Sequence, residues 1–378
     1  MSKHLEVLDG LRGAAALSVL VFHFQELSVG LANPDGLWLR HAYLAVDFFF
    51  CLSGYVIGYA YDSRRDRMGI PGFLRARLIR LHPLVVVGLL LGLAAYVLDP
   101  FNPPEEASTA PAWMQLQEVP AWMLVACTIG GLLMIPTWGL PNRFGSYVSL
   151  NAPAWSLMWE YLASLAYALV LWRMKKPVLM SLVALAAIGL GVSAFTADSL
   201  ILGFGWGQFP HAFVRTAFSF GMGLLLFRCG AKIRSNFGFL SLSVLIVALF
   251  LAPKFERFNG LYEFLVVVLV FPLIVVVGAG AQSAGIAGKI CSLCGRLSYP
   301  VYILHYAFVM LFANYHWTRG IDAQTLPWVI AGASALVVAF SYGVLVLFDE
   351  PVRQWLTRMT KREARLVPAG LAADAQAP

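Results

Sequence analysis

Charge is what this sequence has least of. Only 12% of its 378 residues are charged, 60% are hydrophobic and the mean hydropathy is +0.74. A soluble domain carries about 25% charged residues, and half that density cannot cover a water-soluble body of this size. A soluble globular fold is therefore excluded, as are disorder, coiled coil and collagen. Cysteine is scarce as well. The five, Cys51, Cys127, Cys229, Cys291 and Cys294, give no paired framework, which excludes a small disulfide scaffold. Cys291 and Cys294 have C-x-x-C spacing, but no second pair follows to complete the four ligands of a structural zinc, so no metal is expected. No internal repeat is visible, which leaves an inverted-repeat transporter without support. A cleavable leader is not expected either. Asp9 interrupts the basic start, and His23 and Glu26 stand where small residues would mark a cleavage site.

What is present is a series of long apolar runs. About 20 such residues span a bilayer as a helix. Ten stretches qualify: 11–28, 43–60, 84–99, 154–172, 177–195, 212–228, 238–252, 262–280, 300–316 and 328–348. An eleventh, 121–137, is short and closed by Pro120 and Pro136. Charge decides its status. If it does not cross, 21 of the 27 Lys and Arg fall on the cytoplasmic side; if it does, the split is 13 inside against 14 outside. The positive-inside rule selects the first arrangement. The same clustering explains the net charge of +7 without a nucleic-acid partner. The expectation is an all-α polytopic membrane protein with ten transmembrane helices and both termini cytoplasmic. Segment 121–137 becomes a re-entrant or interfacial piece of an outer loop, 100–153. That loop carries Glu105, Glu106 and Glu118 early on, and either forms a lid or binding wall or caps the fold passively. A membrane domain over 1–358, with a basic cytoplasmic loop at 61–83, is followed by a tail, 359–378, expected to be disordered.

Ionisable groups at membrane depth cost about 2.5–3.5 kcal/mol each, so each needs a reason. The first expected span holds His23 and Glu26, the second Asp47, the fourth Glu160 and the ninth His305. At about 1.5 Å per residue, His23, Asp47 and Glu160 lie about 8, 6 and 9 Å below the outer boundary. An imidazole oriented by a carboxylate in one layer suits general-base catalysis on a hydroxyl. Hydrogen bonds that join helices are the alternative reading. The inner face is different. Arg64, Arg65, Arg67, Arg75, Arg77 and Arg80 crowd the 61–83 loop, interleaved with Phe73, Leu74, Leu78 and Ile79 as in an interfacial amphipathic helix. Arg77 and Arg80 share a helix face and could clamp phosphates, or they could simply stop transfer. Arg12 sits at the inner boundary between Gly10 and Gly13, with Asp9 close enough to pair with it. Phosphate affinity inside and a base near the outside suit a cytosolic phosphorylated donor, such as a coenzyme A thioester, and an outer hydroxyl acceptor.

Six ordered motifs then carry a family resemblance: LDGLRG (8–13) with VFHF (21–24), AVDFFFCLSGYVI (45–57), FLRARLIRLHP (73–83), APAWSLMWEYLASLAY (152–167), LSYPVYILHY (297–306) and FDEPVRQW (348–355). Over about residues 5–358 the chain resembles the bacterial acyltransferase 3 family of integral membrane O-acyltransferases. The resemblance implies transfer of an acyl group, often acetyl, from cytosolic acyl-CoA (acetyl-CoA above all) to a carbohydrate hydroxyl beyond the inner membrane. The acceptor would be an exopolysaccharide, a lipopolysaccharide or a similar glycan. It implies His23 as the base, with Asp47 or Glu160 fixing its tautomer, and donor binding by Arg12, Arg75, Arg77 and Arg80. Acyl-CoA is then a co-substrate, no cofactor is bound, and membrane lipids are the remaining partner. Ser53, Trp155, Tyr302 and His305 are candidate channel-lining residues. Ser53 is a possible nucleophile or a packing residue, and Tyr302 and His305 are placed near the inner end of their span. The larger members' C-terminal hydrolase-like domain has no counterpart here, so a stand-alone form is expected. The rival readings are a proton-coupled transporter or flippase, using the same His and carboxylates as a relay, and a sensor or scaffold.

Overall fold

A computed structural model describes residues 5–29, 36–101, 119–140, 143–235 and 237–366. Among them the structure is helical, with one isolated bridge, Ser146–Gly205, outside any strand. The helices are α1 (Glu6–Val29), α2 (Ala45–Tyr61), α3 (Arg65–Val97), α4 (Ala121–Leu133), α5 (Ala154–Leu169), α6 (Lys176–Ala197) and α7 (Phe209–Arg228). They continue with α8 (Phe239–Phe250), α9 (Asn259–Leu265), α10 (Phe271–Gly280), α11 (Gly285–Arg319), α12 (Leu326–Val344) and α13 (Glu350–Leu366). A π turn, Val266–Val270, joins α9 to α10, and another, Leu345–Asp349, joins α12 to α13. Proline opens α6, α7, α10 and α12, where its missing N–H costs nothing.

Every stretch expected to span lies on a helix. Seven helices among the described residues are long and apolar enough to cross a membrane: Glu6–Val29, Ala42–Tyr61, Arg65–Val97, Lys176–Ala197, Asn259–Gly280, Gly285–Arg319 and Leu326–Thr360. The chain is thus a multi-pass membrane protein. Among the remaining expected spans, α5 has 16 residues and α8 has 12, while α7 has 20 but carries His211, Arg215 and Arg228. Leu185, Ile188, Val244, Trp328, Leu336 and Leu347 stand exposed on α6, α8 and the α12 region. Apolar side chains left outward on such helices suit contact with lipid.

The connections sort to two ends. At the end holding His23, Trp38 N–H donates to Gln25, His41 N–H donates to Phe250 O, Tyr147 N–H donates to Phe204 O and Asn314 donates to Asp99. At the end holding Arg12, Arg228 pairs with Asp62, Arg65 donates to Trp172 O and Cys291 donates to Glu6 O. The centre is a close seam between α1 and α11. A Cβ added at Gly10 would meet Cys291 Sγ, and one at Gly13 would meet the Cys294 backbone. The C-x-x-C spacing therefore presents one face of α11 to the small residues of α1, the packing that membrane helices use where apolar burial gives no drive. Gly54 on α2 and Gly223 on α7 make a second such seam.

Several boundaries differ from expectation. The basic segment 61–83 is a helix from Arg65 onward, continuous with the span after a break at Gly69 (φ 63°), because its apolar residues keep helical spacing across the charges. α11 begins at Gly285, so Tyr302 and His305 lie mid-helix rather than near an inner end. α13 runs to Leu366, so 359–366 is helical. Segment 121–137 forms the 13-residue α4, which stops where Met134 turns left-handed (φ 54°). Glu105, Glu106, Glu118 and the tail 367–378 lie outside the described residues.

Candidate active site

His23 lies on α1 one turn before Glu26, and that spacing puts both side chains on one helix face. His23 Nδ1 is 2.8 Å from Glu26 Oε2. A carboxylate only accepts, so Nδ1 carries a proton, and the neutral ring keeps its lone pair on Nε2. The His23 ring stacks on His305 with centroids 5.3 Å apart and planes at 24°, and meets the edge of Tyr306 at 5.9 Å. His305 is fully buried and donates through Nδ1 to Tyr302 O at 2.7 Å and Val301 O at 3.1 Å. His23 and Glu26 line a cleft enclosing about 710 Å³ with its open mouth, whose walls include Tyr43, Trp155, Arg215 and Tyr302.

The expectation that Asp47 or Glu160 orients His23 does not hold: Glu26 takes that place. Asp47 is instead engaged by Arg215, with Nη2–Oδ2 at 2.5 Å and Nε at 3.2 Å from both oxygens, and both residues are buried. Arg215 also donates to Leu202 O at 2.6 Å and lies 5.5 Å from the centre of the Trp155 ring. A buried arginine needs a paired carboxylate, so Asp47 neutralises the cleft wall that Arg215 builds. Glu263 braces the same wall. Its carboxylate accepts from Tyr43 Oη, from the Leu200 N–H and from Asn259 Nδ2. Tyr147 donates to Gly203 O at 2.7 Å and accepts from Trp159 Nε1 at 2.9 Å. Burial pushes the Tyr147 phenol well above the ordinary tyrosine value, so this clasp stays protonated. Burial likewise pulls Arg143 below its ordinary value, against the opposing pull of Tyr306, Tyr96 and Asp99.

A second cavity lies toward the Arg12 end. It encloses about 500 Å³ and is lined by Arg12, Ser53, Glu160, Ser298, Tyr299 and Tyr302 among others. Glu160 accepts from Ser53 Oγ at 2.9 Å and from the buried Arg77. Arg12 pairs with Asp9 at 2.8 Å. Arg80 lies within electrostatic reach of Arg12, Arg77, Asp9 and Glu160. Of the four expected donor arginines, Arg12 lines this cavity, Arg77 reaches it through its bond to Glu160, and Arg80 does not line it. Arg75 is exposed and lines neither cavity. Two residues, Val46 and Tyr302, line both cavities. Phe49 packs edge-on against Tyr302 at 5.4 Å, and the Tyr302 hydroxyl donates to Pro153 O at 3.0 Å and meets Ser156 Oγ at 2.7 Å. The single layer expected of His23, Asp47 and Glu160 is therefore two sites divided by a thin partition.

Sequence reasoning gave no role to Arg215, inside the expected span 212–228, or to Glu26. The three-residue spacing from His23 was a usable signal for Glu26, and none was available for the Asp47–Arg215 pairing, whose partners are 168 residues apart. Among the described residues no group of three or more His, Cys, Asp or Glu could hold a metal ion.

The family model described as an acyltransferase domain, of the acyltransferase 3 family, matches residues 5–346. Protein 2 in the picA locus of Rhizobium radiobacter is 34% identical over 168 residues, which are 43% of this chain and 80% of that protein. Staphylococcus aureus proteins of strains COL and MW2, provisionally named O-acetyltransferases, are 34% identical over 104 residues. That stretch is 26% of this chain and only 16% of the staphylococcal proteins. No solved structure matches. With its family model running through nearly every helix of the bundle, the chain belongs to the acyltransferase 3 family.

Proposed function

We propose that this membrane acyltransferase moves an acyl group, acetyl above all, from cytosolic acyl-CoA to a hydroxyl of a surface or secreted carbohydrate. The observation that carries the reading is the back-to-back pair of cavities, one with an imidazole base and the other with Arg12 and the Arg77-bound Glu160, separated by Val46 and Tyr302. A donor entering beside Arg12, Arg77 and Arg80 brings its thioester to the partition, and the acceptor comes in from the His23 side. His23 Nε2 takes the hydroxyl proton as the oxygen bonds to the thioester carbon. The C–S bond then breaks, and the departing thiolate recovers the proton from His23, so ester and free coenzyme A leave an unchanged enzyme. Glu26 holds the imidazole in the tautomer that leaves Nε2 free and stabilises it when charged. Ser53 anchors Glu160 in this scheme and forms no acyl-enzyme.

In this reading the Arg12 end faces the cytosol and both termini lie there, because the Lys and Arg of loops and tail concentrate on that side. Ten crossings follow: α1, α2, α3, α5, α6, α7, α8, α9 with α10, α11 and α12, while α4 enters and returns at the His23 end. The membrane is the inner membrane. The test supplies labelled acetyl-CoA and a crude glycan extract to membranes containing the protein. The expected result is a glycan-bound, hydroxylamine-labile acetyl ester together with free thiol. Intact acetyl-CoA across a panel of acyl-CoAs, with solute moving unchanged, would overturn the enzyme in favour of a transporter.

A further inference from the structure

A third cavity opens at the Arg12 end, apart from both sites described above. It encloses about 950 Å³ with its open mouth and is lined by Arg65, Asp66, Gly69, Pro71, Trp172 and Arg173, with Ile70 beside them. Three features converge there. Gly69 (φ 63°, ψ 174°) breaks α3, so the helix restarts at Ile70 and Pro71 and turns a fresh N-terminus toward the cavity. Such a terminus offers unpaired N–H groups and the positive end of the helix dipole. Two guanidinium groups flank it. Arg65 is fixed by donating to Trp172 O at 2.8 Å, and Arg173 lies 5.3 Å from the centre of the Trp172 ring. Trp172 itself is buried, and its Nε1–H finds no partner. One group opposes an anion: Asp66 Oδ1, 3.3 Å from Arg65 Nε and largely solvent-exposed.

We propose that this cavity binds the phosphates at the nucleotide end of the donor, an assignment that rests on the acyl-CoA reading above. Trp172 lies beyond Glu160 along α5 and its terminal turn, roughly 15–18 Å away at the helical rise. A thioester whose reactive end sits at the partition and whose phosphates sit beside Arg173 needs a long thin arm between them, as the pantetheine of coenzyme A provides. The arginines at Arg12, Arg77 and Arg80 then hold the arm's path, and the Arg65–Arg173 cavity holds its charged end.

Two readouts test this with the full-length protein in neutral-lipid nanodiscs, where no anionic headgroup can supply the phosphate. The first is equilibrium binding of adenosine 3′,5′-bisphosphate. Wild type is expected to bind it, Arg173→Gln to weaken binding about tenfold and Arg173→Lys to restore most of it, the loss of one charge-assisted contact. Asp66→Asn is expected to tighten binding roughly threefold by removing an exposed repulsion. Wild-type binding that is absent, unmoved by Arg173→Gln, or displaced equally well by inorganic phosphate overturns the site. The second is turnover. Arg173→Gln is expected to raise KM for acetyl-CoA about tenfold and to leave KM for S-acetyl-pantetheine, which has no nucleotide, at the wild-type value. Equal effects on the two thioesters overturn the assignment. Bisphosphate binding that needs Arg173, in a protein that consumes neither thioester, would uphold the site and overturn the acyl-CoA reading.

Discussion

The two cavities on either side of Tyr302 are built to opposite rules. The His23 cleft draws its chemistry from one turn of one helix, with Glu26 as a local partner, and keeps the buried Asp47–Arg215 pair in the wall. The Arg12 cavity draws on several helices: Arg12 from α1, Ser53 from α2 and Glu160 from α5, with Arg77 of α3 bonded to Glu160. A base that must turn over protons needs one fixed tautomer and few competing charges. A passage for the donor's polar arm needs hydrogen-bonding groups brought from several directions. The contrast also separates two uses of a buried carboxylate. Glu26 orients a reactive ring, while Asp47 merely makes a buried arginine tolerable.

That comparison breaks most visibly at His23. His23→Ala is expected to lower kcat about 10²–10⁴-fold with the melting temperature in detergent nearly unchanged. A variant that keeps wild-type turnover would remove the imidazole from the chemistry. Asp47→Ala is expected to act the other way, through the fold. It leaves Arg215 buried and unpaired, a cost of about 3–5 kcal/mol, read as a sharp fall in melting temperature and in folded yield. An unchanged melting curve would mean that Arg215 finds another partner. At the Arg12 cavity, Arg77→Gln, Glu160→Gln and the double variant form a cycle whose coupling is expected at about 0.5–3 kcal/mol in stability. The same variants should raise the donor KM more than they lower kcat, and the reverse split would move this cavity into the chemical step. The smallest effect is expected at Arg296–Glu350, whose side chains are 44% and 32% exposed. Glu350→Gln should cost no more than about 1 kcal/mol, whereas a loss like that of Asp47→Ala would show that exposure does not rank these pairs.

Much of this was legible in the sequence, and what was not has physical reasons. The apolar runs located all seven helices that are, among the described residues, long and apolar enough to cross, because lipid demands about 20 consecutive apolar residues and no tertiary contact can waive that. Helix ends were read less well. Residues 65–83 and 285–299 carry too much charge or polarity to count as span, yet they continue α3 and α11. His23 and Glu160 were visible as polar groups in costly places, and Arg12, Arg77 and Arg80 as basic groups at the inner face. Depth along a helix could not separate Glu160 from His23, because it says nothing of which way each helix face turns. Arg215, inside the expected span 212–228, had no visible role until its distant partner Asp47 was in view. Glu26 was visible but unused, and its i,i+3 spacing from His23 is the signal that pattern reading should weigh more heavily.

The account stands on transfer from one end of the bundle to the other. Proteoliposomes with uniformly oriented protein, labelled acetyl-CoA on the Arg12 side and glycan on the His23 side, test it most directly. The predicted result is labelled ester on the glycan, free thiol on the acetyl-CoA side only, and neither with His23→Ala. Label transferred only when donor and glycan share one side, or undiminished in His23→Ala, would contradict it.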